Sequence, residues 1–214
     1  MSTMAFITHC WKSAASEWLR RAFLLACMLW GLAGAAQAQN SVAELTELRI
    51  SRNEGAVLLD ASLKLELGAS VEEALIKGLA IYFVVEVDLM RDRWYWYDRQ
   101  LGTATRHYRL AYQPLARRWR LNVSREPLST SSLASSLTQN FETLGEALAS
   151  VRRISGWKVA EMSDVDPEAR QYMVYRFRLD TTQLPRPFQL TAGSQSDWSL
   201  SISRTVRLNA DMLR

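Results

Sequence analysis

Between Val57 and Leu67 apolar and polar residues alternate. Val57, Leu59, Ala61, Leu63, Leu65 and Leu67 fall on one side, and Leu58, Asp60, Ser62, Lys64 and Glu66 on the other. A two-residue period over this length predicts a strand with one face in a core and one in water. Leu45 to Ser51 predicts the strand before it, with Asn53-Glu54-Gly55 as the turn between them. The same alternation recurs from Ile81 to Met90 and from Gln171 to Leu179. In the first, Ile81, Phe83, Val85, Val87 and Leu89 share a face. In the second, Met173, Tyr175, Phe177 and Leu179 do.

Arg106 to Tyr112 and Arg117 to Val123 read as a hairpin joined by Gln113-Pro114-Leu115-Ala116, where Pro114 fixes a turn backbone angle. Trp198 to Val206 predicts the last strand, and Trp157 to Ala160 a short one. Two segments change period. Ser70 to Gly78 spaces Val71, Ala74, Leu75 and Leu79 as a helix does, and Ser70 with Glu73 forms a capping-box pattern. Phe141 to Ile154 places Phe141, Leu144, Leu148 and Val151 on one helical stripe, with Gly156 as the stop. Ser124 to Asn140 is rich in Ser and Thr and reads as a loop. Leu184-Pro185-Arg186-Pro187-Phe188 reads as an extended crossing that carries Phe188 into the core, because each Pro biases its predecessor away from helix.

Strands in succession with two short helices between some of them predict a mainly β chain. The expected architecture is an antiparallel β-sandwich of immunoglobulin-like type. The helices are too few and too irregular in position for a βαβ sheet. No repeat and no linker divides residues 39–214, so one domain is expected there.

The first residues follow another grammar. Lys12, Arg20 and Arg21 precede the uncharged run Ala22 to Ala38, which ends in Ala36-Gln37-Ala38. That order predicts a helical secretory signal over residues 1–38, cleaved between Ala38 and Gln39. The apolar run is shorter than the ~20 residues a spanning helix needs, so an uncleaved inner-membrane anchor is the lesser expectation. Cys27 has only Ala22 to Ala26 as apolar residues before it, which argues against a lipidated cysteine. A periplasmic location is expected.

Composition matters chiefly once the leader is removed. Both cysteines, Cys10 and Cys27, and one of the two histidines lie within it. The remaining domain then offers no thiol for catalysis or metal binding, and a single histidine, His107. The net charge of +4 falls to +2, with 23 basic and 21 acidic residues, which gives no electrostatic case for a nucleic-acid partner. No phosphate loop, HExxH, EF-hand or G-x-S-x-G pattern occurs, and no cofactor or catalytic set is expected.

Three clusters remain. Arg106, Arg109, Arg117, Arg118 and Arg120 crowd one hairpin and suit anionic lipid headgroups or an acidic envelope partner, against the plainer reading of a solvated face. Trp94-Tyr95-Trp96-Tyr97 would turn one pair inward and could leave Tyr95 and Tyr97 as a binding platform. Glu86 and Asp88 share a strand face and could serve acid–base chemistry in a periplasmic enzyme. Alternation alone also yields that spacing.

Val71-Glu72-Glu73-Ala74-Leu75-Ile76-Lys77-Gly78, Arg93-Trp94-Tyr95-Trp96, Phe141 to Leu148, Arg178 to Phe188 and Asp197-Trp198 follow one another in an order that resembles the DUF4390 family of exported proteobacterial proteins. The resemblance spans nearly all of residues 39–214. It implies an envelope protein encoded near a membrane histidine kinase of the nitrogen-regulation type, and it transfers no catalytic residue. The expected function is a non-catalytic binding or accessory domain, with a sensor kinase among the expected partners.

Overall fold

The computed structural model describes residues 41–93, 97–128, 133, 136–166, 169–186, 188–189 and 196–208. The expected signal segment, its Ala38/Gln39 junction and Tyr95 lie outside them. Nine strands form among these residues: β1 (Val42–Asn53), β2 (Ala56–Glu66), β3 (Ile81–Arg91), β4 (Arg99–Gln113), β5 (Arg118–Ser124), β6 (Leu137–Phe141), β7 (Arg153–Glu161), β8 (Gln171–Leu179) and β9 (Ser201–Leu208). Among the described residues two α-helices join them, α1 (Ala69–Ile76) and α2 (Leu144–Arg152).

The strands make two antiparallel sheets, ordered β1-β2-β7 and β6-β5-β4-β3-β8-β9. One apolar core joins their facing sides, so the expected sandwich forms with strands divided three and six. Leu59 and Leu65 of β2 meet Phe83, Leu110, Leu121, Tyr175 and Phe177 from the larger sheet, all essentially inaccessible. Phe83 and Phe177 stack at 5.7 Å across adjacent strands. Each of these comes from the apolar half of an alternating run, which is why burying one face orders the register.

Turn chemistry agrees with topology at the first hairpin. Glu54 and Gly55 both hold positive φ, 49° and 78°, as a two-residue turn between twisted strands requires. Both irregularities of the β2–β7 ladder insert an extra residue on β7. Gly156, expected to stop the second helix, instead occupies one of these bulges at φ 58° and donates its N–H to Asp60 Oδ1 at 2.8 Å. Helix α2 passes into β7 without a loop.

Several sequence expectations are corrected. The expected loop 124–140 contains β6, whose Leu-Thr-Gln-Asn-Phe composition hides a strand behind polar residues. Trp198 sits buried in a 3₁₀ turn, and the last strand starts at Ser201. The extended crossing expected over 184–188 stops at Leu184, whose φ of −72° and ψ of 152° are extended. The N–H groups of Phe188 and Gln189 donate to Pro185 O at 2.9 and 3.2 Å, so Pro185 opens a helical turn, a position its missing N–H suits. Leu184 enters the core in place of Phe188, which is exposed.

Antiparallel pairing gives the sandwich two ends. The upper end gathers the start of β1, the β2–α1–β3 passage, the β4–β5 turn and the β8–β9 connection. The lower end gathers the β1–β2, β3–β4, β5–β6 and β7–β8 connections.

Candidate functional site

The arginines expected to crowd one hairpin face are divided by the pleat. Tyr108, Leu110 and Tyr112 of β4 face the core, so Arg106 shares their side, while His107, Arg109 and Ala111 face outward. On β5, Trp119 and Leu121 face inward, and Arg118, Arg120 and Asn122 outward. Arg117 lies in the connecting turn at φ 50°. The five cations therefore do not form one patch. Arg109 donates to the Tyr82 hydroxyl at 3.3 Å, and Arg120 reaches Asn140 Oδ1 at 3.5 Å.

Glu86 and Asp88 share the outward face of β3, as alternation required, and both are engaged there. Asp88 accepts from Gln100 Nε2 at 2.9 Å and Thr103 Oγ1 at 2.6 Å and pairs with Arg176. Glu86 faces Arg178 at 3.2 Å and Arg176 at 3.6 Å. Every carboxylate oxygen thus meets a cation or donor from β8 or β4. His107 is on the same face. Burial lowers its pKa, opposed by the charges of Asp180 and Glu86. Tyr97, described without its neighbours 94–96, is almost fully exposed near the lower end.

The concave feature lies on the other side of β4. Where the short sheet ends at β7, the inner surface of β4, β5 and β6 is open, and a cleft of about 770 Å³ runs between that surface and the start of β7. Arg106, Arg125 and Arg153 line it, with Gln139, Ser155 and a single carboxylate, Glu126. Arg106 is anchored by its flat guanidinium, 4.7 Å above the ring of Trp157. Arg125 and Arg153 are exposed and form no ion pair among the described residues.

Beyond Trp157 the cleft continues along β7 as a second hollow of about 730 Å³, which Arg125 also lines. There Lys158 is matched by Glu161 at 2.5 Å. Charge is thus unbalanced only in the first part. Three planar, permanently charged forks beside hydroxyl and amide donors suit a carboxylate- or phosphate-bearing guest.

Sequence reading identified Arg106 and missed Arg125 and Arg153. The two lie 28 residues apart in sequence, on either side of β6 and α2. Only the pairing of β5 with β6 and the return of the chain through α2 bring them together. No periodicity encodes that meeting. Among the described residues no group of histidine, cysteine, aspartate and glutamate is placed to hold a metal ion, and no helix is long and apolar enough to cross a membrane.

No curated protein and no solved structure is detectably similar to the chain. Residues 40–208, most of the chain and all of both sheets, match the family described as a domain of unknown function, DUF4390, and the chain belongs to that family.

Proposed function

We propose that this protein is an exported, non-catalytic binding domain of the cell envelope, and that the Arg106–Arg125–Arg153 cleft receives an acidic segment of a partner protein. The observation that carries this reading is the charge imbalance of the cleft, three guanidiniums against Glu126. Its volume falls within the ~300–1,000 Å³ typical of binding sites. Its mouth is bordered by β7, the last strand of its sheet, whose outer edge has no strand partner among the described residues. An extended segment can lie along such an edge while its carboxylates meet the arginines. Glu86 and Asp88 lie across the sheet from the cleft and are held by Arg176 and Arg178, which favours a structural role for them over acid–base work. Export is supported by the basic flank, the apolar run and Ala36-Gln37-Ala38. The extracytoplasmic part of a membrane sensor kinase is the first partner to try.

The test is an NMR titration of the isotope-labelled protein with a glutamate-rich ten-residue peptide. Amide shifts should concentrate at 106, 125, 139 and 153–158. Arg125→Glu combined with Arg153→Glu should weaken binding by more than tenfold, because each reversal replaces a charge-assisted bond with repulsion. Shifts spread over the surface, or binding unaffected by the double reversal in a folded variant, would remove the cleft as the site.

A further inference from the structure

A second surface stands apart from the cleft, at the upper end of the sandwich. We propose that this end seats the domain on an anionic phospholipid bilayer, with Leu115 at the tip of the β4–β5 turn entering the headgroup layer and Arg117 and Arg118 gripping the phosphates.

Three independent observations converge on this end. The first is the distribution of exposed apolar groups. Among the described residues six large apolar side chains are exposed: Val42, Ile76, Tyr97, Leu115, Leu137 and Phe188. Val42 begins β1, Ile76 ends α1, Leu115 tips the β4–β5 turn, and Phe188 lies between β8 and β9, so four of the six belong to the upper end. Leu115 is as exposed as a free side chain, at 103%. Neighbouring Pro114 and Ala116 are exposed as well. An apolar tip held on a rigid two-strand stalk has no use within the core.

The second observation is charge. Arg117, Arg118 and Arg186 are exposed at the same end, and Arg117 and Arg118 make no side-chain hydrogen bond or ion pair among the described residues. The acids there are largely committed within the fold. Glu73 pairs with Lys77 at 2.6 Å, Asp197 accepts from the Ser70 hydroxyl at 2.5 Å, and Asp180 accepts from Thr182 and Gln183. Among the described residues Glu44, Glu72 and Glu142 remain there against Arg117, Arg118 and Arg186. Apolar groups ringed by Arg or Lys are the composition of an interfacial membrane contact.

The third observation is where the chain enters. Ser41 accepts from the Gly68 N–H at 2.8 Å and bonds to Asp197, which fixes the entry point at the upper end. Ser41 stands three residues after Ala38, the last of the apolar run Ala22 to Ala38. A chain exported behind that run emerges from the membrane with this end first, whether or not the run is then cut off at Ala38. A protein partner would account for the apolar tip and the arginines but not for their place at the end that emerges first.

The test places an environment-sensitive NBD label on Leu115→Cys in a Cys10→Ser, Cys27→Ala background, using the protein as isolated from the envelope. Asn53→Cys, in the turn at the lower end, serves as the control position. Vesicles contain phosphatidylglycerol with phosphatidylethanolamine, or phosphatidylcholine alone. The label at 115 should shift to the blue and be quenched by brominated acyl chains on anionic vesicles, while the label at 53 stays aqueous. Arg117→Glu with Arg118→Glu should reduce vesicle affinity by at least about twenty-five-fold, since each cation near an anionic surface contributes about a fivefold attraction and each reversal adds repulsion. Leu115 and both arginines are exposed, so these variants keep the fold. A label at 115 that stays in water on anionic vesicles, or that responds equally on neutral ones, would overturn the proposal.

Discussion

His107 holds the most exposed balance of forces at the level of single residues. It sits opposite Val84 of β3 and Ser124 of β5, and its Nδ1 is buried without a hydrogen-bond partner among the described residues. Desolvation pushes its pKa below the ordinary 6.5, Asp180 and Glu86 pull it up, and Arg178 pushes it down. The unfolded chain therefore takes up this proton near pH 6.5, and the folded chain only at lower pH. Where the unfolded state binds more protons, stability rises with pH. The His107 contribution is thus intact above about pH 6.5 and is lost as pH falls from there toward the folded pKa. Asp180 acts in a separate window. Burial raises its pKa, but hydrogen bonds from Thr182 and Gln183 and the charge of Arg178 outweigh that, so its contribution is lost only as pH falls below about 3.8. Urea midpoints should therefore drop between pH 7.5 and 5 in the native protein, and His107→Gln should flatten that slope. An equally steep slope in the variant would assign the titration to another group. The sequence singled out His107 only as the one histidine beyond the leader, and alternation along β4 turns it outward. What it could not encode is that Val84, only 1% exposed on the same face, shares a crowded patch with it.

The start of α1 shows how an element can be specified from far away in the chain. The sequence offered Ser70 and Glu73 as a capping box, yet the helix begins two residues earlier than that box implies, with Gly68 as its N-cap and no side-chain cap of its own. Asp197 does the work instead. Its Oδ2 accepts from the Ser70 hydroxyl at 2.5 Å and from the Ser70 N–H at 3.4 Å, placing a carboxylate against the positive end of the helix. Gly68 makes room for it, because a Cβ there would stand 2.5 Å from Asp197 Cγ and 2.8 Å from its Cβ. Gly68→Ala should therefore destabilise the fold by about 1–3 kcal/mol, the usual cost of forced overpacking. In an Asp197→Gly background the same change should cost about 1 kcal/mol less, since residues in contact couple by roughly 0.5–3 kcal/mol. Chemical denaturation of the four proteins in this cycle checks both numbers, and strict additivity would show that the two residues do not meet. Helix α2 is the contrast. Thr143 accepts from the Glu146 N–H at 3.2 Å, and Glu146 accepts from the Glu142 N–H at 3.2 Å, all within four residues. This helix was legible through its apolar stripe rather than its cap, and β2, β3 and β8 were legible where alternation and burial coincide. Illegible were β6, whose polar residues pair only because β5 presents an edge, and the Pro185 turn, where two prolines read as extended chain.

At the scale of the whole molecule the two proposed surfaces divide the protein by function. The cleft opens between β7 and the β4–β5–β6 floor and continues along β7 toward the lower end, whereas Leu115, Arg117 and Arg118 stand at the upper end. A domain seated on a bilayer by the β4–β5 tip would hold the basic cleft clear of the lipid, open to a protein reaching in from the side. The sheet between them is a rigid spacer. β4 and β5 carry the tip at one end and Arg106 with Arg125 toward the other, so the two surfaces lie at opposite ends of the same strand pair. Independent sites give independent losses. Arg117→Glu with Arg118→Glu should weaken vesicle binding by at least about twenty-five-fold and leave the affinity for the acidic peptide unchanged. Arg125→Glu with Arg153→Glu should do the reverse. Both pairs change net charge by the same amount, so a general electrostatic attraction to anions would weaken both interactions in both variants. Measuring peptide affinity and vesicle affinity for each variant at two salt concentrations separates the cases. Selective loss supports two sites on one spacer, and parallel loss would reduce both surfaces to a diffuse field of arginines.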